Sequence, residues 1–280
     1  MQPEAAAGRL IAMDTRKVPV LTAADIAQPS VARIYDYWLG GTNNFAVDRE
    51  VAERAAAAMP TLRAAIWANR AFLRRVVQHM VQLGITQFLD LGSGVPTVGN
   101  VHEIAQDADP ECRVVYVDND PVAVAHGQKL LADNPQATVV AADLRRAQSV
   151  LADPQTQALL DLDRPIGVLM IAVLHFVPDD AHPETIVASY RDAMAPGSYL
   201  ALSHAATDLA HPHEQAGMVS DYVRAVNVPF ITREPEQLRG WLGGFTVQEP
   251  GIVQVHEWHP DPGQRRPILR TFGLLARRDA

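Results

Sequence analysis

The spacing of apolar positions changes character near Ile85. Before it, apolar side chains recur at helical intervals. Val31, Ile34, Tyr35 and Trp38 fit one face of a short amphipathic helix that Gly40 and Gly41 end. Asp48 stands where an N-cap would start a second helix through Ala58, and Pro60 separates that helix from a third. The third covers residues 61 to 83, with Leu62, Ile66, Leu73, Val77 and Met80 on one face and Gly84 at its end. Residues 1–28 show no sustained period and are expected to form a mobile tail.

After Ile85, short apolar runs alternate with helical stretches. Strands are predicted at residues 87–91, 113–117, 137–141, 166–174 and 198–202. Helices are predicted at 101–108, 121–131 and 183–194. The run from Ile166 to Leu174 is nearly all apolar, as a central parallel strand buried on both faces should be. This alternation implies right-handed crossovers and a doubly wound parallel α/β sheet. Two last runs, 245–249 and 268–276, have a Pro-rich loop and no helix between them, which suggests an antiparallel pair at one edge. The predicted organisation is a tail (1–28), an N-terminal helical cover (29–83) and a sheet unit (84–280), the last two forming one compact body.

Composition narrows the function. The 280 residues carry a formal charge of −8 and are 48% hydrophobic, enough for a sizeable core. An acidic surface argues against nucleic acid or a membrane face as partner. The single cysteine, Cys112, opens a buried strand and reads as a core residue in a chain without internal disulfides. The first residues lack the pattern of a signal peptide, and no apolar run is long enough to span a bilayer, so a cytoplasmic location is expected.

In an open α/β sheet, ligands bind beyond the carboxyl ends of the strands. The first such loop is Asp90-Leu91-Gly92-Ser93-Gly94, whose glycines allow a sharp turn and close approach to a ligand. Thr97 replaces the third glycine of a dinucleotide fingerprint, and an acid two residues before Gly92 is unusual there. Asp118 closes the second strand, where an acid accepts hydrogen bonds from ribose hydroxyls. Asp120, followed by Pro121, reads as the cap of the next helix. Asp143 and Leu144 follow the third strand, where the carboxylate either takes an adenine amino group, with a backbone N–H serving the ring, or caps the next helix. Three acids at consecutive strand ends suit a sulfonium nucleoside carrying an amino acid better than a dinucleotide, whose phosphates they would repel.

The chain resembles class I S-adenosylmethionine-dependent methyltransferases and, more closely, the actinobacterial S-adenosyl methyltransferase family. The resemblance rests on ARIYDYWLGGTNNFAVDRE (32–50), NRAFLRR (69–75), QFLDLGSGVPT (87–97), VVYVDNDP (114–121), AVLHFVPDD (172–180) and APGSYLALSH (195–204). It implies a seven-stranded, Rossmann-like methyltransferase sheet with the last strand inserted antiparallel, and S-adenosyl-L-methionine as cofactor. It further implies that Asp90, Gly92 and Gly94 hold the methionine part, Asp118 the ribose, and Asn119, Asp143 and Leu144 the adenine, with Ser93 also at the cofactor. From the same likeness Asn43, Asn44 and Arg70 become candidates for the cofactor carboxylate.

Methyl transfer needs alignment of acceptor and methyl, exclusion of water and sometimes removal of a proton. His175 and His204 follow the fourth and fifth strands and are the candidate bases, His175 the better placed. Tyr35, with Tyr37, Trp38 and Phe45, is placed to cover the site. The pairs His211/His213 and His256/His259 lack a third ligand at convincing spacing, so no metal is expected. The reading is a methyltransferase acting on a small-molecule acceptor. Its rivals are a non-catalytic cofactor-binding regulatory protein and a nicotinamide-dependent oxidoreductase. Oligomeric state is left open.

Overall fold

The computed structural model describes residues 22, 26–207, 209–261 and 270–280. The expected tail therefore falls almost wholly outside the described residues, as do positions 268 and 269 of the last expected strand. Three helices come first: α1 (Val31–Trp38), α2 (Ala46–Ala58) and α3 (Leu62–Gln82). Then β1 (Gln87–Leu91), α4 (Val101–Ala108), β2 (Arg113–Asp118), α5 (Pro121–Leu130) and β3 (Ala137–Ala141) follow in alternation. Two short helices, α6 (Ala147–Leu151) and α7 (Pro154–Leu159), lead to β4 (Gly167–Ile171). The chain continues through α8 (Pro183–Ala193), β5 (Tyr199–Ala205), α9 (Pro212–Val226) and α10 (Pro235–Gly240). It ends with β6 (Phe245–Val247), β7 (Val253–Gln254) and β8 (Thr271–Arg278).

The strand order is β3-β2-β1-β4-β5-β8-β6, with β7 paired to β8 beside this path. β1 to β5 are parallel, and β8 runs antiparallel between β5 and β6. The expected doubly wound sheet with an inserted antiparallel strand is present, and the two-residue β7 makes its strand count eight. Every residue of β1 is buried, as its central place between β2 and β4 requires. One face packs under Ile186, Val187 and Tyr190 of α8; the other packs under Phe72, Val76, Val77 and Met80 of α3. A third apolar cluster, including Ile34, Trp38, Val51, Ala52, Tyr222 and Val226, joins α1 and α2 to α9. The cover is thus built from both ends of the chain, while α3 belongs to the sheet's own helical layer.

Two local expectations are corrected. The apolar run at 166–174 leaves the sheet at Ile171 and turns at Ala172 (φ 53°) into a 3₁₀ turn over Leu174–Phe176. Leu174 and Val177 are buried beneath the loop, so apolar character persists where pairing has stopped. Asp48 is not the N-cap of α2: that position is Phe45, and Asp48 lies one turn inside. Its fully buried carboxylate accepts from the backbone N–H groups of Phe45 (2.8 Å) and Ser30 (2.9 Å) and from Arg33 Nε (2.9 Å). Asp48 thus serves the helix start from its third position, and the same carboxylate supplies the partner that the buried Arg33 guanidinium needs.

Candidate functional site

A cavity of about 750 Å³ opens beyond the carboxyl ends of β1 to β4. Its floor is made by the strand-end loops. Its wall comes from α1, the first half of α3, α9 and residues 227–230.

The floor is locked by backbone chemistry. Gly92 and Ser93 donate their N–H groups to the Val117 carbonyl at 2.8 and 3.1 Å, tying the loop after β1 to the end of β2. Gly94 N–H donates to Asp118 Oδ2 at 2.7 Å, and Asp120 N–H donates to Asp118 Oδ1 at 2.8 Å. Gly92 has φ 75°, and a Cβ there would sit 2.3 Å from a Val173 methyl. Only glycine satisfies both conditions, so the loops after β1 and β4 pack directly against each other. Asp120 caps α5, accepting from Val122 N–H (2.7 Å) and Ala123 N–H (3.1 Å), and also accepts from the Ser30 hydroxyl.

Asp90, Gly92, Ser93, Gly94, Asp118, Asn119, Asp143, Leu144 and Arg70 all line the cavity. Burial pushes the Asp90 carboxyl up to about 7, with Asp118 adding to the rise and Arg70 opposing it. Burial likewise raises Asp118 to about 6 against its backbone hydrogen bonds. Asp118 keeps its raised value despite its two backbone donors, and Asp90 despite Arg70, so neither carboxyl has a partner strong enough to offset its burial, and both line the cavity. Asp143 differs: burial raises it, but its hydrogen bonds to Arg145 win and hold it below the usual carboxylate range. Arg145 meets both its oxygens, with Nη2 at 2.6 Å. Arg70 donates to the Val98 carbonyl at 2.9 Å and completes the polar floor.

Asn43 lies outside the cavity lining; its N–H donates to Asp36 Oδ2 at 2.9 Å and its side chain reaches the Pro96 carbonyl at 3.5 Å. Asn44 donates to the same Asp36 oxygen at 2.8 Å. A Cβ on Gly41 would lie 2.0 Å from Asp36 Oδ1, which explains the glycine. These residues shape the turn between α1 and α2 and brace the loop after β1.

His175 and Tyr35 line the cavity, and His204 does not. His204 is fully buried, its Nδ1 2.8 Å from its neighbour's carbonyl (Ala205) and its Nε2 accepting from Arg233 at 3.2 Å. Burial lowers it to about 4, so it is neutral and committed at both nitrogens. His175 is also neutral, held well below the ordinary histidine value by burial, with His204 and Arg233 adding to the effect. Its Nδ1 is enclosed and makes no hydrogen bond among the described residues.

Several residues that sequence reading passed over organise this region. Arg233 is buried and donates to the carbonyls of Leu174 (3.0 Å) and Val177 (2.7 Å) and to Asp179 (2.6 Å), fixing the turn that carries His175. Ile231 N–H donates to the His175 carbonyl at 2.7 Å. Asn69 donates to the Tyr35 hydroxyl at 2.9 Å and accepts from Ser203 at 2.6 Å, while Ser203 accepts from Ala172 N–H at 2.9 Å. Asn69 stands in the NRAFLRR run, so position marked it, but its partners lie on α1 and β5, both distant in sequence. The wall helix α9 was signalled by Pro212 at its start and by Met218, Tyr222 and Val226 four apart.

Among the described residues, no group of three or more His, Cys, Asp or Glu side chains could hold a metal ion. None of their helices is long and apolar enough to cross a membrane.

A parallel sheet with one antiparallel strand inserted near its edge, a glycine-rich loop after β1 and acids at the ends of β1, β2 and β3 define an S-adenosylmethionine-dependent methyltransferase. The chain belongs to the S-adenosyl methyltransferase family, whose model matches residues 20–278. It is similar to a DUF574 family protein of Streptomyces avermitilis, at 39% identity and a TM-score of 0.85 over 91% of this chain and 99% of that one. It is also similar to a candidate methyltransferase of Thermobifida fusca YX, at 37% identity and a TM-score of 0.84 over 91% and 97%. No curated protein matches the sequence. The family's cofactor is S-adenosylmethionine, and the two raised carboxyls on the floor fit a ligand that brings an ammonium, a sulfonium and ribose hydroxyls.

Proposed function

We propose that this methyltransferase acts on a small-molecule acceptor bound in the same cavity as the cofactor. The observation that carries the reading is the convergence of Asp90, Asp118, Asp143 and Arg70 on one side of a 750 Å³ space whose other side is apolar. A space of that size is typical of small-ligand sites and suits two small molecules rather than a protein chain.

Each floor residue has a task suited to its chemistry. Asp90 takes the ammonium and Arg70 the carboxylate of the amino-acid part, each charge meeting its opposite. Gly92, Ser93 and Gly94 present backbone to the same part. Asp118, fixed by two N–H groups, keeps lone pairs for the ribose hydroxyls. Asn119, Leu144 and Asp143 flank the adenine, with Asp143 shared between the base and Arg145. Asn43 acts indirectly, by bracing the loop after β1.

When bound, S-adenosylmethionine supplies a sulfonium methyl already activated for in-line displacement by an acceptor oxygen or nitrogen. The chain must align that atom and keep water out. His175 is the polar group placed for alignment, and Tyr35, held by Asn69, is the second. Because burial disfavours the imidazolium, His175 accepts the hydrogen bond of the acceptor and orients it; the acceptor's proton, released as its bond to the methyl forms, passes through His175 to solvent rather than resting on the imidazole. His204 supports His175 through Arg233.

Thermal unfolding of the full chain with S-adenosylmethionine, S-adenosylhomocysteine or NAD tests the cofactor half. A ligand at 100 times its Kd stabilises the fold by about 2.7 kcal/mol, raising Tm by about 5 °C. The two sulfur nucleosides should do so and NAD should not, and Asp118→Ala should abolish the shift. A shift with NAD alone would overturn the reading. For the acceptor half, turnover on small molecules that is lost in His175→Ala is expected, and turnover on folded proteins alone would contradict it.

A further inference from the structure

The cavity wall carries more information than its apolar character. The charged lining residues are Arg70, Asp90, Asp118, Asp120, Asp143 and Arg145, all on the floor or beside it. The wall contributed by α1, α9 and residues 227–230 has none. It is aromatic instead. Trp38 and Tyr222 stack with centroids 6.2 Å apart, and Phe230 meets Tyr222 edge-on at 6.3 Å. Phe230 also meets Phe176 at 5.6 Å and the His175 ring at 4.6 Å, while Phe176 lies 4.3 Å from His175. One imidazole therefore sits in a collar of rings, and neither of its nitrogens has a hydrogen-bond partner among the described residues. Nδ1 is the enclosed one, which leaves Nε2 to meet a ligand.

We infer that the acceptor is an uncharged, flat ring compound carrying a hydroxyl or ring N–H, which donates a hydrogen bond to His175 Nε2 while its faces lie against Phe230, Tyr222 and Trp38. Two physical arguments favour this class. A charged acceptor entering a wall without counter-charge would lose its hydration uncompensated. A flat ring gains offset and edge contacts with the aromatic side chains and loses little conformational freedom on binding. The single polar point then sets orientation, since a buried acceptor nitrogen left unpaired penalises any ring lacking a donor. This inference rests on the proposed methyl transfer and names the substrate class for it.

The test is calorimetric titration of the full chain, loaded with S-adenosylhomocysteine, with matched pairs: 2-naphthol against 2-naphthoate, and indole against indole-3-carboxylate. Binding of S-adenosylhomocysteine itself is measured first, so failure of the cofactor reading appears separately. The neutral ring of each pair should bind at least tenfold more tightly than its carboxylate. Phe230→Ala, on a loop, should weaken 2-naphthol at least tenfold and leave the Kd for S-adenosylhomocysteine within threefold. Met218→Arg, which brings a cation to the wall, should narrow or reverse the naphthol preference, and serves if Phe230→Ala does not fold. Carboxylates bound as well as the neutral rings, or neither neutral ring bound by a chain that binds S-adenosylhomocysteine, would overturn the inference.

Discussion

The two sides of the cavity are made differently. The floor is polar and built from four loops at the ends of neighbouring strands, each within a few residues of a glycine or an acid. The wall is largely apolar and assembled from α1, α9 and the apolar positions of α3, which come from distant parts of the chain, while Arg70 of α3 joins the floor. A parallel sheet delivers its strand ends to one edge whatever the side chains are, so a floor for a common cofactor needs only a few short motifs. A wall has no such shortcut. It can change by substitution of ordinary apolar residues without disturbing the cofactor side, and that separation lets one fold serve different acceptors.

The largest effect should come from the hinge between the two sides. Arg233→Met would leave the buried Val177 carbonyl and His204 Nε2 without their donor and would strip the Leu174 carbonyl of one of its two. We expect a loss of about 3–5 kcal/mol, seen as a Tm roughly 10 °C lower. A loss below 1 kcal/mol would mean that the turn holds itself.

Gly92→Ala comes next. It forces a Cβ into Val173 at positive φ, at about 2–4 kcal/mol by chemical denaturation, and should also remove cofactor binding. Wild-type stability in this variant would show that the loops after β1 and β4 are not packed as described.

Asp90→Asn separates ligand binding from stability. S-Adenosylhomocysteine should bind about 100-fold more weakly, about 2.7 kcal/mol, because a charged partner of its ammonium is lost. The ligand-free chain should be as stable at pH 8 or more so, since burial opposes the Asp90 carboxylate. A large drop in ligand-free Tm would assign Asp90 to the fold instead.

Tyr35→Phe should act least, leaving Asn69 Nδ2 short of one partner at about 1 kcal/mol and the Kd for S-adenosylhomocysteine within threefold.

The same contrast explains what could be read from sequence. The five parallel strands, α3 and the floor acids were legible because period, glycine and strand-end position are local signals. Family likeness added the antiparallel insertion. The end of β4 was missed because Leu174 and Val177 stay buried after pairing stops, and burial is what hydrophobicity reports. From sequence Asp48 reads one turn off, as the cap itself, because its second partner, Arg33, lies 15 positions away and gives no local signal. Arg233 carried no local mark at all, and Ser203 only its place in the APGSYLALSH run; each matters through groups brought near by the fold. The wall was least legible, since Met218, Tyr222 and Phe230 are ordinary core residues until α9 packs against α2 beside α1.

On the proposed reading, Asp90 and Asp118 are held ready for a cationic, hydroxyl-bearing ligand. Their raised values, about 7 and about 6, mean that the ligand-free chain gains stability from them below pH 4 and loses it as pH rises through 6 to 7. A ligand that favours the carboxylates must expel the remaining protons, so its affinity rises over the same window. Calorimetric titration of S-adenosylhomocysteine at pH 5.5, 6.5 and 8, in buffers of different ionisation enthalpy, measures both terms. We predict proton release at pH 5.5 and 6.5, affinity increasing up to about tenfold per pH unit per proton released and levelling near pH 8, and a reduced slope in Asp90→Asn. Affinity that is flat or falls with rising pH, or an unchanged slope in Asp90→Asn, would contradict the account.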